Sequence, residues 1–190
     1  MRRFGPSPAD LTFLSSTSVL PWDRIWIQGG TITERHSSAP SVYRVSQVTF
    51  GREAPLWISA DAADVNDGPP YHEVFFMGIK RDEQCGEPSV EVRWRPGRED
   101  LTSVPADLDF APFEPPGRCY AIVTRHIAIG TEVELETVAV DEGLLVTAAS
   151  GERLLFFCDR DVPLDMFATM DPLQIAEYLR EDSRLTPILA

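Results

Sequence analysis

The stretch TEVELETVAVDEGLLVTAASGERLLFFC runs from Thr131 to Cys158. It decides the fold. "TEVELETVAV" (131–140), "GLLVTAA" (143–149) and "RLLFFC" (153–158) are rich in β-branched, aromatic and leucine side chains. Such segments fit a pleated, half-buried surface. Asp141-Glu142-Gly143 and Ser150-Gly151 separate them. Glycine accepts positive φ, so both read as hairpin turns. With "RCYAIVTRHI" (118–127) before them, these segments predict an antiparallel meander.

The same signals recur upstream in "RIWIQ" (24–28), "SVYRVSQVTF" (41–50), "LWISA" (56–60), "EVFFMGIK" (73–80) and "SVEVRWR" (89–95). Two helix starts stand out. In "SPADLTFL", Ser7 is placed to cap, Pro8 takes the first helical position and Asp10 lies in the first turn. In "MDPLQIAEYLRED", Asp171 caps, Pro172 follows and Gln174 is spaced as in a capping box, which predicts a helix over 172–182. The expected fold is therefore α+β. It is mainly antiparallel sheet, with a short N-terminal helix and one C-terminal helix packed on it.

Between the two β-rich halves, "PGREDLTSVPADLDFAPFEPPG" (96–117) holds five prolines in 22 residues. Each removes a backbone donor and fixes φ, so no regular element is expected. Leu101, Val104, Leu108, Phe110 and Phe113 suit a crossing segment that packs on the body. The chain is expected to form one domain over 1–190, as two β-rich lobes (about 1–95 and 118–190) joined by this segment.

Charge narrows the function classes. The 190 residues carry 30 acids and 17 bases, a net −13. The first 100 residues hold 14 acids and 11 bases; the last 90 hold 16 and 6. A field of that sign repels nucleic acid and anionic lipid and attracts basic partners. "RWRPGR" sets Arg93, Arg95 and Arg98 around Trp94, but pairing with the chain's own acids explains it better than nucleic-acid binding. Cys85, Cys119 and Cys158 form neither a Cys-x-x-Cys pair nor a disulfide framework, so a reducing cytoplasm is expected. No apolar run approaches the roughly 20 residues needed to span a bilayer.

"ISADAADVNDGPPYHE" (58–73) brings Asp61, Asp64 and Asp67 near His72. A calcium loop starting at Asp64 breaks down, because Gly68 falls at the fifth position and Pro69 at the sixth. A zinc site needs more imidazole or thiolate than His72 supplies. Asn66-Asp67-Gly68 is strong turn chemistry, so the stretch reads first as an acidic surface loop and second as a recognition loop. Glu132, Glu134 and Glu136 alternate along a strand and share one face. That face is either a solvated guard against edge pairing or a stripe that docks a basic partner. Asp159, Asp161 and Asp165 follow an apolar strand and read as turn aspartates. His36, His72 and His126 are scattered, and neither a nucleophile elbow nor a phosphate-binding glycine loop is present.

No catalytic, metal or cofactor site is therefore assigned. The expected function is that of a non-catalytic acidic protein-binding module, most concretely a bacterial immunity-type protein that neutralises a basic toxin domain. Its partner-binding residues would be Asp61, Asp64, Asp67, Glu132, Glu134 and Glu136. Two alternatives stand beside it. One is a small-ligand or metal-binding protein, or a hydrolase, built on Asp61, Asp64 and His72. The other is an assembly subunit of a bacterial machine.

Overall fold

The computed structural model describes residues 1–16, 22–32, 41–50, 56–65, 73–81, 113, 118–130, 135–158, 166–179 and 183–188. Among the described residues the chain is mainly antiparallel sheet, with two helices. Its strands are β1 (Arg3–Phe4), β2 (Trp22–Ile32), β3 (Tyr43–Phe50), β4 (Leu56–Asp64), β5 (Glu73–Arg81), β6 (Cys119–Gly130), β7 (Leu135–Thr147), β8 (Arg153–Cys158), β9 (Met166–Thr169) and β10 (Ser183–Ile188). The helices are α1 (Pro8–Ser16) and α2 (Pro172–Tyr178). The expected strand over 89–95 lies outside the described residues.

Hydrogen bonding runs through the sheet in the order β10-β6-β7-β8-β9-β3-β4-β5. β2 pairs with β3, and β1 pairs parallel with β7. The β3–β9 ladder, Tyr43 to Val45 against Ala168 to Met166, joins strands from the two halves of the chain. The Ser150-Gly151 turn forms as its residues require: Gly151 has φ +93° and donates to Ala148 O at 3.0 Å.

The central ladder buries both faces. Leu144, Val146, Leu154 and Phe156 pack with Ile58, Met77, Leu14 of α1 and Phe113. The alternate residues Leu145, Leu155 and Phe157 pack with Val123, Phe167 and Ile175 of α2. Period-two alternation sends neighbours to opposite sides, so a strand covered on both sides reads as one apolar run. Phe113 is 1% exposed, an anchor from the proline-rich segment; Leu101, Val104, Leu108 and Phe110 lie outside the described residues.

Three expectations need correction. Asp141-Glu142-Gly143 is no hairpin turn: β7 runs through it without a break from Leu135 to Thr147, joining the two segments read on either side. Val123 faces Gly143 but Thr124 faces Asp141, so Glu142 is the extra residue of a β-bulge. The strand at 56–60 extends to Asp64, taking in half of the expected acidic loop. The C-terminal helix stops at Tyr178 rather than 182, and Ser183–Ile188 pairs antiparallel with β6 instead. Pro187 in that strand is tolerated because β10 ends the sheet order, where a missing ladder donor costs little.

Both helix starts follow their capping residues. Ser7 Oγ accepts from Asp10 N at 3.2 Å, and Asp10 Oδ2 accepts from Ser7 N at 3.3 Å. Asp171 Oδ1 accepts from Leu173 N at 2.9 Å. No helix among the described residues is long and apolar enough to cross a membrane.

Candidate functional site

The concentrated charge chemistry lies at the β7 bulge. β8 pairs with Gly143 to Thr147 and β1 with Ala139 and Val140. Asp141 and Glu142 sit where β7 changes neighbour, and they are 0% and 2% exposed. A buried carboxylate must find a cation or several donors, because desolvation of the bare charge is costly.

Arg3 meets Asp141 with its guanidinium fork. Nε lies 2.9 Å from Oδ2, and Nη2 donates to Oδ1 at 3.0 Å. Thr124, opposite on β6, donates its hydroxyl to Oδ1 at 2.7 Å. Bidentate arginine–carboxylate pairing of this kind is short and orientation-specific. Gly5 lets the segment lie close: a Cβ there would fall 2.3 Å from Asp141 Oδ2.

Arg125 serves Glu142, with Nε 2.7 Å from Oε1. The Nε–H is not aligned as a hydrogen bond, so the contact is an ion pair. Arg125 Nη2 also donates to Tyr178 O at 3.2 Å and Ser183 Oγ at 3.4 Å. Its guanidinium lies 5.3 Å from the Tyr178 ring centre, and the Tyr178 hydroxyl donates to Glu142 O at 3.3 Å. One arginine thus ties the bulge to the end of α2 and the start of β10.

A third pair lies further along β7. Arg2 holds Glu136 through Nε and Nη2 and donates Nη1 to Val65 O at 2.6 Å. This hydrogen-bonded partner holds the Glu136 carboxyl below its ordinary pKa. Phe4 packs with Val138 and Val140, its ring 6.3 Å from that of Phe76.

The residues singled out from sequence do not converge. Asp61 is half-buried on β4, where Oδ1 accepts from Ala62 N at 3.0 Å. Asp64 is exposed, in register with Glu73. Three residues apart in an unbroken ladder, Asp61 and Asp64 point to opposite faces. Glu136 is engaged by Arg2. Asp67, His72, Glu132 and Glu134 lie outside the described residues, as do His36, Asp159, Asp161, Asp165, Cys85 and the Arg93–Arg98 cluster. No group of three or more His, Cys, Asp or Glu among the described residues is arranged to hold a metal ion.

Sequence reasoning missed Asp141 and Glu142. Their signal was position: two acids between "VAV" and "LLV", with turn chemistry masking the bulge. Chemically the bulge binds guanidinium groups. Compared with protein-family models, curated proteins and solved structures, the chain matches none of them.

Proposed function

We propose that the chain is a non-catalytic, acidic protein-binding module, most concretely a bacterial immunity-type protein that neutralises a basic toxin domain. The observation that carries this reading is how the acidic charge is divided. Among the described residues the buried acids are Asp141 and Glu142, each neutralised by the chain's own arginine. Asp64, Glu73, Glu152 and Glu177 are exposed, within a chain of net −13. Surface charge of one sign raises the encounter rate with an oppositely charged partner and selects against others. Asp61, Asp64, Asp67, Glu132, Glu134 and Glu136 are the contact residues of this reading, with Asp61 and Asp64 serving opposite faces of β4 and Glu136 shared with Arg2. Cys119 is an exposed free thiol, in keeping with action in a reducing cytoplasm.

A second reading, an assembly subunit, takes the exposed Leu135, Leu173 and Leu185 as separate apolar contact points. One experiment serves both. The full chain is immobilised in lysate of its source at low and at high salt, and any captured protein is purified and rebound. The expected result is one basic protein, bound near stoichiometrically, released by salt and weakened by Asp64→Asn with Glu73→Gln. Loss of that partner's toxic activity in the complex identifies the immunity role; a salt-resistant multi-subunit complex identifies the assembly role. A chain that stays monomeric with no basic partner at low salt overturns both.

A further inference from the structure

The geometry points to β1 as a displaceable strap, with the β7 edge beneath it a docking strip for an extended, arginine-bearing segment of the basic partner. The inference rests on the acidic-module reading and names the chemistry that module would recognise.

The β7 edge is completed in two unequal pieces. β8 covers Gly143 to Thr147 and is tethered by a tight turn. β1 covers Ala139 and Val140 with two residues, and Arg2 O accepts from Ala139 N at 2.9 Å. Side chains do much of the holding, and those of Arg2 and Arg3 are 47% and 48% exposed. The Arg2–Glu136 pair reaches water on both sides and contributes little to holding the segment; Arg3–Asp141, whose carboxylate is fully buried, carries most of the hold, which any segment that replaces β1 must supply in its turn.

What β1 covers is demanding. Asp141 is fully buried, and among the described residues its other side-chain partner is the Thr124 hydroxyl. Two positions after the arginine, only a residue without Cβ avoids the Asp141 side chain. Glu136 takes the preceding arginine, and the patch of Val138, Val140 and Phe76 takes an aromatic. The strip therefore reads Arg-Arg-aromatic-Gly in an extended, parallel register. Strand addition to a sheet edge works in this way: backbone bonds supply affinity and alternate side chains supply specificity. A basic partner carrying such a segment would make the contacts that β1 makes.

Two measurements on the full chain test this. The first is amide exchange in the wild-type protein. If β1 opens locally, the Ala139 amide exchanges at least about tenfold faster than those of Leu144 to Val146 in the same strand. Equal protection means that β1 leaves only on global unfolding, which overturns the proposal. The second uses fluorescent acetyl-Met-Arg-Arg-Phe-Gly-Pro with the wild type and with Arg3→Ser, whose strap is weakened. The peptide should bind Arg3→Ser about tenfold more tightly than the wild type. The same peptide with its second arginine replaced by alanine should not bind. Failure to bind a folded Arg3→Ser variant, or equal affinity for both peptides, overturns the proposal; if that variant does not fold, the exchange measurement decides. The two readings fail separately. A basic partner that binds without raising Ala139 exchange leaves the acidic module standing and removes the strap. Peptide exchange with no basic partner in the lysate does the reverse.

Discussion

Gly143→Ala separates two reasons for a glycine at the β7 bulge. A turn glycine is needed for its backbone freedom; a packing glycine is needed for its missing Cβ. Gly143 does not have positive φ. A Cβ there would lie 2.8 Å from Phe156 O, 3.4 Å from Phe157 Cβ and 3.5 Å from Val123 Cβ. The nearest atom is backbone, held in the β7–β8 ladder beside a fully buried phenylalanine, so it has little room to yield. Overpacking of this kind costs about 1–3 kcal/mol. Against it, alanine restricts the unfolded chain and returns about 0.4–1 kcal/mol. The steric term wins, and the expected net loss is about 1–2 kcal/mol. In a chain of this length that lowers Tm by about 2–8 °C. Urea unfolding followed by the fluorescence of the four tryptophans measures it. Gly143→Asn should cost more than alanine, because asparagine is larger and its tolerance of positive φ is useless here. At Gly151 the order should reverse, since φ is +93° and the space is open. A Gly143→Ala protein as stable as the wild type would refute the packing argument.

Three further outcomes are expected. Arg125→Met takes the arginine from the buried Glu142 carboxylate and should cost about 3–5 kcal/mol, whereas Arg125→Met with Glu142→Leu recovers most of that in a double-mutant cycle; additive losses would show the pair to be uncoupled. Asp171 Oδ2 accepts from Ser41 Oγ at 2.7 Å, and with the helix amides this bond holds its carboxyl below the ordinary value. The folded pKa is depressed, so the contribution is full above the unfolded value and is lost as pH falls through the folded one. Asp171→Ala should therefore cost about 1 kcal/mol at neutral pH, and the difference from wild type should shrink below about pH 4; a constant difference in acid titrations would contradict it. In a Cys85→Ser background, a thiol reagent should label exposed Cys119 under native conditions and buried Cys158 only on unfolding, as mass spectrometry would show.

The local chemistry of this chain was legible where neighbours in sequence decide the outcome. Ser7-Pro8 and Asp171-Pro172 start helices because their side chains satisfy backbone donors within three residues. "RLLFFC" and "EVFFMGIK" form strands because their composition suits a buried pleat. The misses share one cause. Asp141-Glu142-Gly143 resembles a turn, but β6 and β8 flank the strand there and Arg3 and Arg125 neutralise both acids, so the backbone runs on. Arg-Leu-Thr-Pro carries weak strand signals, yet β10 forms because the β6 edge is available to it. β1 has two residues and no periodicity to read; its docking is fixed by carboxylates more than 130 positions away.

The sequence by itself determined an acidic, β-rich chain with two capped helices, because charge and capping act over a few residues. Tertiary structure alone decided where those charges end up. Asp61 and Asp64, close in sequence, face opposite ways across a pleat. Arg3 and Asp141, far apart in sequence, share a bidentate pair. Strand register and buried charge compensation depend on which chain segments meet, and no local pattern encodes that meeting.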